Sequence, residues 1–213
     1  MVFHDRTEAG QRLAERLMAH KDNKDVLLFA LPRGGVVVGV EVAKALNLPL
    51  DVIVTRKLGA PENPEYAIGA MAETGELIWN EAERFAHDQK VLQKIVDREK
   101  KEAERRVSAF RGGRALPDMK GKTVIVIDDG VATGLTIRAA IACARQRHAA
   151  KIILAVPHGA AQSLADLRYE ADEVVALEEP ETYGSVGQYY QEFPQTSDQE
   201  VVELLKPYAD RSL

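Results

Sequence analysis

Apolar residues fall along this chain in two rhythms. Five short runs, residues 26–31, 50–54, 123–127, 151–156 and 172–177, are predominantly Val, Ile, Leu and Ala. Runs of that length and composition are expected of strands buried on both faces of a parallel sheet. Elsewhere apolar residues recur at helical spacing, as in Leu13, Ala14, Leu17 and Met18, in Val38, Val42, Ala45 and Leu46, and in Ile137, Ala140, Ile141 and Ala144. Residues 160–167 read as a further helix. Strand and helix in alternation predict an α/β fold with a mostly parallel central sheet flanked by helices. Helix starts are marked by Asp5 with Glu8, Asn80 with Glu83 and Ser197 with Glu200, each pair spaced as in a capping box.

Three stretches depart from the alternation. The segment Thr55-Arg56-Lys57-Leu58-Gly59 leads into a Gly- and Pro-rich stretch through Pro61, Asn63, Pro64, Gly69 and Gly75. A loop that long predicts a lid, with residues 67–72 as a strand returning from it and hairpinned with 76–79. Residues 80–114 look like a helical insertion, as one long helix or two, ending at Gly112-Gly113. Leu92, Ile95, Val96, Ala103, Val107 and Phe110 form its apolar stripe, to be covered by the core or by a second subunit. Residues 178–213 make a small hood and a C-terminal helix. Aromatic residues are 6% of the chain, yet Tyr183, Tyr189, Tyr190 and Phe193 all fall in this stretch, as in a surface that stacks a planar ligand. The expected organisation is a single domain over 1–213.

Composition narrows the function classes. Hydrophobic residues are 46% and charged residues 29% of 213, a globular profile. A net charge of −5 argues against a nucleic-acid partner held by broad electrostatic attraction. No apolar run approaches the roughly 20 residues of a membrane helix, and Met1 to Arg6 carries no signal-peptide pattern. The single cysteine, Cys143, is read as a packing residue. A cytoplasmic enzyme with no membrane and no nucleic-acid partner is the expectation.

The chemistry concentrates after the run 123–127. Asp128 and Asp129 stand at its end, followed by Gly130-Val131-Ala132-Thr133-Gly134-Leu135-Thr136 and a helix start. Strand, glycine turn and helix N-terminus present backbone N–H groups to a phosphate. A Walker loop would carry a lysine here and a Rossmann turn would read GxGxxG; neither is present. Acids beside a phosphate site must serve another part of the ligand. Sugar hydroxyls suit them, since an ionised carboxylate only accepts hydrogen bonds. A ribose 5′-phosphate satisfies both halves. A second turn, Pro32-Arg33-Gly34-Gly35, closes the run 26–31. It combines two glycines, which let an anion approach closely, with a guanidinium suited to phosphate.

The hydrophobic strand, two acids and Ala-Thr-Gly-x-Thr resemble the 5-phosphoribosyl 1-pyrophosphate (PRPP) motif of type I phosphoribosyltransferases. The rest of the chain resembles a bacterial group of that family with no assigned acceptor. The resemblance implies a phosphoribosyltransferase core and transfer of 5-phosphoribosyl from PRPP to a nitrogen acceptor, with pyrophosphate released. It implies Mg²⁺ as cofactor, held mostly through substrate and water, with Asp128 and Asp129 as candidate contacts. Val131, Ala132, Thr133, Gly134, Leu135 and Thr136 would hold the 5′-phosphate. Arg33, Gly34, Gly35, Arg56 and Lys57 would hold pyrophosphate, with a cis peptide beside Arg33. Asp128, Asp129, Arg33 and Lys57 would act in catalysis. Because neighbours on a strand point to opposite faces, only one of Arg56 and Lys57 is expected to reach the ligand. Pro157, His158, Tyr183 and Tyr189 would form the acceptor pocket; for His158 a surface residue without a role is an equal reading. A homo-oligomer such as a dimer is expected. A PRPP-binding regulator and a phosphoribosyl hydrolase are the alternatives.

Overall fold

The structure, a computed structural model, describes residues 2–209; Met1 and the last four residues of the expected C-terminal segment, 210–213, lie outside the described residues. Five strands form an entirely parallel sheet in the order β2-β1-β6-β7-β8. They are β1 (Val26–Ala30), β2 (Leu50–Val52), β6 (Thr123–Ile127), β7 (Lys151–His158) and β8 (Glu173–Glu178). The run 50–54 thus divides: its first part is β2, and the chain then leaves the sheet.

Side chains alternate across the sheet, and each face has its own core. Leu28, Ala30, Ile125, Ile127, Ile153 and Ala155 pack under α1 (Arg6–Arg16), α2 (Gly34–Leu46) and α7 (Asp198–Leu205). Leu27, Phe29, Val124, Val126, Ile152 and Leu154 pack under α5 (Leu135–Gln146) and α6 (Ala161–Leu167). Two covered faces explain why these strands read as nearly unbroken apolar runs.

The expected long lid is instead an ordered antiparallel ribbon. β3 (Thr55–Gly59), β4 (Ala67–Ala72) and β5 (Leu77–Trp79) form a second sheet in that order, and only residues 60–66 loop out. Gly69 lies inside β4, within the strand expected over 67–72, and a Cβ there would lie 2.7 Å from the Ile78 carbonyl. The hairpin of 67–72 with 76–79 is as expected, with Met71 opposite Leu77.

The insertion is two helices, α3 (Glu81–Ala86) and α4 (Gln89–Arg111), the second ending at Gly112 in the left-handed region. Its stripe is covered from within. Leu92 packs with Ala60 and Ile68, Ile95 with Leu58 and Met71, and Phe110 reaches the main core. A buried ion pair between Arg111 and Glu73 joins the end of α4 to the ribbon, and Arg111 Nη1 also donates to the Val52 carbonyl at 3.1 Å. Ser197 and Glu200 form a complete capping box. Asp5 caps α1 by accepting from the Glu8 amide, but the Glu8 carboxylate turns to the His4 amide. Asn80 makes no side-chain cap, and the Glu83 carboxylate accepts from the Tyr66 hydroxyl at 2.8 Å rather than from the Asn80 amide.

Candidate active site

The site forms at the carboxyl ends of β1 and β6, where an open α/β sheet leaves a crevice. After β6 the chain makes the turn Gly130–Leu135. Val131 continues the sheet by pairing with Gly159: its amide donates to the His158 carbonyl at 3.0 Å, and its carbonyl accepts from the Ala160 amide at 2.9 Å. Ser163 Oγ donates to the Ala132 carbonyl at 2.6 Å. Gly134 sits at φ +74°, a conformation that suits glycine. From it α5 starts, and the first amides of a helix have no partner within it. The Val131 amide is thus spent on His158, which corrects its expected phosphate contact, whereas the amides of residues 132–136 have no hydrogen-bond partner among the described residues and remain available to an anion.

A cleft of about 230 Å³ opens over this turn, lined by Lys57, Ala67, Asp128, Asp129, residues 130–137 and Val186. The structure thus brings Asp128, Asp129, Val131, Ala132, Thr133, Gly134, Leu135, Thr136 and Lys57 together. Asp128 Oδ1 accepts from the Asp129 amide at 2.9 Å. Burial, then the neighbouring Asp129 charge, push the Asp128 carboxyl well above the usual carboxylate range.

The Pro32-Arg33-Gly34-Gly35 turn lies against the same acids, and the Pro32–Arg33 peptide is cis, as expected. Its glycines are needed for space; neither has a positive φ. A Cβ on Gly34 would lie 1.9 Å from Asp129 Oδ2, and one on Gly35 would lie 2.9 Å from Asp128 Cα. The Arg33 guanidinium turns to Asp198 of α7 at 3.5 Å.

Two expectations are corrected by placement. Arg56 does not face the cleft. Its Nε and Nη2 hold Glu99 of α4 at 2.9 and 2.7 Å, so of the basic pair only Lys57 lines the site, as alternation along β3 dictates. Lys57 Nζ meanwhile donates to the Glu65 carbonyl at 2.9 Å.

The acceptor pocket is the second correction. Pro157 and His158 belong to β7, and His158 is 0% exposed. Its Nδ1 meets the Tyr183 hydroxyl at 2.8 Å, and its ring stacks on Tyr189 at 4.6 Å between centroids. Tyr183 and Tyr189 stack on each other at 5.1 Å. The space offered to a planar ligand is filled by the hood's own rings. Burial lowers the His158 pKa to about 4 and raises that of Tyr183, so the ring is neutral; among the described residues its Nε2 has no hydrogen-bond partner.

Sequence reasoning missed Arg6. It is 7% exposed, and its Nε donates to Asp129 Oδ2 at 2.7 Å. No local pattern marks it, since Asp5-Arg6-Thr7-Glu8 reads only as a helix start. It also missed Phe3, which pairs with Tyr190 through the backbone and packs with it and Ala9.

With this geometry in place, residues 4–193 match the model of the phosphoribosyl transferase domain. The chain belongs to that family. Two Mycobacterium tuberculosis proteins, one from strain CDC 1551 and one from strain H37Rv, each provisionally named a phosphoribosyl transferase, are 45% identical over 206 residues. The match covers 96% of this chain and 46% of each relative, so the chain spans just under half of their length. The crystal structure of TT1426 from Thermus thermophilus is similar over 98% of this chain and 100% of that one, with 39% identity and a TM-score of 0.80. The AQ2163 protein of Aquifex aeolicus shares the fold, with a TM-score of 0.53 at 13% identity. The architecture is that of the type I phosphoribosyltransferases, a parallel central sheet flanked by helices. No helix among the described residues is long and apolar enough to cross a membrane.

Among the described residues no cluster of three or more His, Cys, Asp or Glu side chains could hold a metal. Asp128 and Asp129 offer hard oxygen donors, which suits Mg²⁺ held mainly by substrate oxygens and water.

Proposed function

We propose that the chain transfers a 5-phosphoribosyl group from PRPP to a ring nitrogen and releases pyrophosphate. The observation that carries this reading is the meeting of three parts in one crevice. The unpaired amides of residues 132–136 receive the 5′-phosphate. Asp128 and Asp129 face the ribose hydroxyls. The Arg33-Gly34-Gly35 turn lies against both acids, where the pyrophosphate would leave.

In the reaction the C1–oxygen bond to pyrophosphate breaks, the bond from C1 to nitrogen forms, and the nitrogen gives up its proton. Positive charge builds on the sugar ring, as in glycoside cleavage, and negative charge on the leaving group. Lys57 and Arg33 are the cations of this edge, and Arg33 must turn from Asp198 to serve. Mg²⁺, when bound, supplies further neutralisation of the pyrophosphate charge. Asp128 and Asp129 orient the sugar.

Incubating the protein with PRPP, Mg²⁺ and a panel of nucleobases, with pyrophosphate as readout, tests the reading. Release that requires one base, and that stops on chelation by EDTA, is the expected result. Base-independent release would replace transfer with hydrolysis. Tight PRPP binding without turnover on any base would make the chain a regulator.

A further inference from the structure

The cation that touches the acid pair comes from the far end of the chain. Arg6 lies in the first turn of α1. Besides the 2.7 Å bond from Nε to Asp129 Oδ2, its Nη1 donates to the Pro194 carbonyl at 2.8 Å. Its guanidinium lies 3.8 Å from the centre of the Phe193 ring. Tyr190 donates its hydroxyl to the main-chain carbonyl of the same Asp129 at 2.6 Å, and Phe3 is bridged to Tyr190 through the backbone. Asp129 is therefore held at its side chain by the N-terminal helix and at its backbone by the hood.

A charge-assisted bond to a nearly buried guanidinium is strong and directional. An ionised carboxylate accepts about four hydrogen bonds, so one bond from Arg6 leaves capacity for a sugar hydroxyl. The Gly34 turn closes the third side, since a Cβ there would lie 2.9 Å from Arg6 Nε. Arg6 is thus where the hood, the acid and the turn meet.

Resting on the reading that Asp129 grips the ribose, we propose that Arg6 is a positioning residue for the sugar. It aims the Asp129 carboxylate at the ribose hydroxyls and couples that aim to the docked hood. Arg6 acts through Asp129 and does not itself touch the substrate.

The test uses ribose 5-phosphate, which carries the sugar and its phosphate without pyrophosphate or acceptor. It is titrated calorimetrically into the wild-type protein, Arg6→Gln, Arg6→Lys, Asp129→Asn and the double variant, with inorganic phosphate as a control for the turn. Arg6→Gln is expected to weaken ribose 5-phosphate about tenfold and to leave inorganic phosphate unchanged. Arg6→Lys should recover part of the loss, and Arg6→Gln should add nothing once Asp129 is Asn. Binding by Arg6→Gln that matches or exceeds wild type overturns the proposal, the stronger binding because Arg6 would then block the acid. An equal loss of inorganic phosphate, or a full further loss on Asp129→Asn, also overturns it. Absence of ribose 5-phosphate binding by the wild-type protein would remove the reading of the site itself, and this proposal with it.

Discussion

The two walls of the crevice are built in different ways. The proposed phosphate wall is contiguous chain, residues 128–136, and the groups it offers are main-chain amides of a turn held by neighbouring loops. The hood wall is a cluster of side chains, Phe3, Arg6, His158, Tyr183, Tyr189, Tyr190 and Phe193, gathered from the N-terminus, β7 and the segment before α7. A backbone cradle depends on chain conformation and tolerates many side chains. A packed cluster depends on every ring in it. The walls meet at Asp129, whose carboxylate serves one and whose carbonyl and Oδ2 are held by the other.

The sharpest way to break this contrast is at that meeting point. Gly34→Ala places a methyl against Asp129 Oδ2; overpacking of this kind costs about 1–3 kcal/mol of stability, and displacement of the acid should weaken ribose 5-phosphate by roughly a hundredfold. Calorimetry showing wild-type affinity would mean that the turn does not press on the acid.

The hood wall has its own signature in pH. His158 is buried neutral, with its pKa lowered from 6.5 to about 4. The unfolded chain then binds the proton more readily, so stability falls as pH drops from about 6.5 towards 4, by about 3 kcal/mol in all. The raised Asp128 acts in the other direction: its native proton adds stability that is lost as pH rises through the folded value. His158→Phe keeps the Asp128 contribution and removes the histidine slope. Urea denaturation of both proteins across this range should give a difference curve that flattens above pH 6.5, and parallel curves would show that His158 opens to water.

The smallest effect separates the basic pair. Arg56→Gln should destabilise the protein by about 1–2 kcal/mol, because Glu99 is buried and keeps only Arg98, while leaving pyrophosphate affinity unchanged. Lys57→Gln should do the reverse, weakening pyrophosphate by roughly fivefold with little change in stability. Equal effects of both on pyrophosphate would return Arg56 to the site.

Much of this was legible in residue order. The sheet strands, the Asp128-Asp129 turn, the ribbon hairpin and the Ser197 cap are short-range patterns, set by local periodicity, glycine placement and hydrogen bonds between near neighbours. That only one of Arg56 and Lys57 faces the cleft follows from alternation along a strand; which of the two does so was not legible. The ordered ribbon was harder to see, because glycines that make room for a crossing carbonyl look like the glycines of a loop. The two-helix insertion and its internal cover were legible only as alternatives, since an apolar stripe does not name what packs on it.

The sequence alone determined the α/β core and the strand, glycine turn and helix start at 123–136, because both are written within a few residues of where they form. Only the tertiary structure decided that the hood fills its own pocket, that Arg33 and Arg56 turn towards helices, and that Arg6 closes on Asp129. Those outcomes depend on contacts between residues more than a hundred positions apart in the case of Arg6, and on burial that leaves no mark in local spacing.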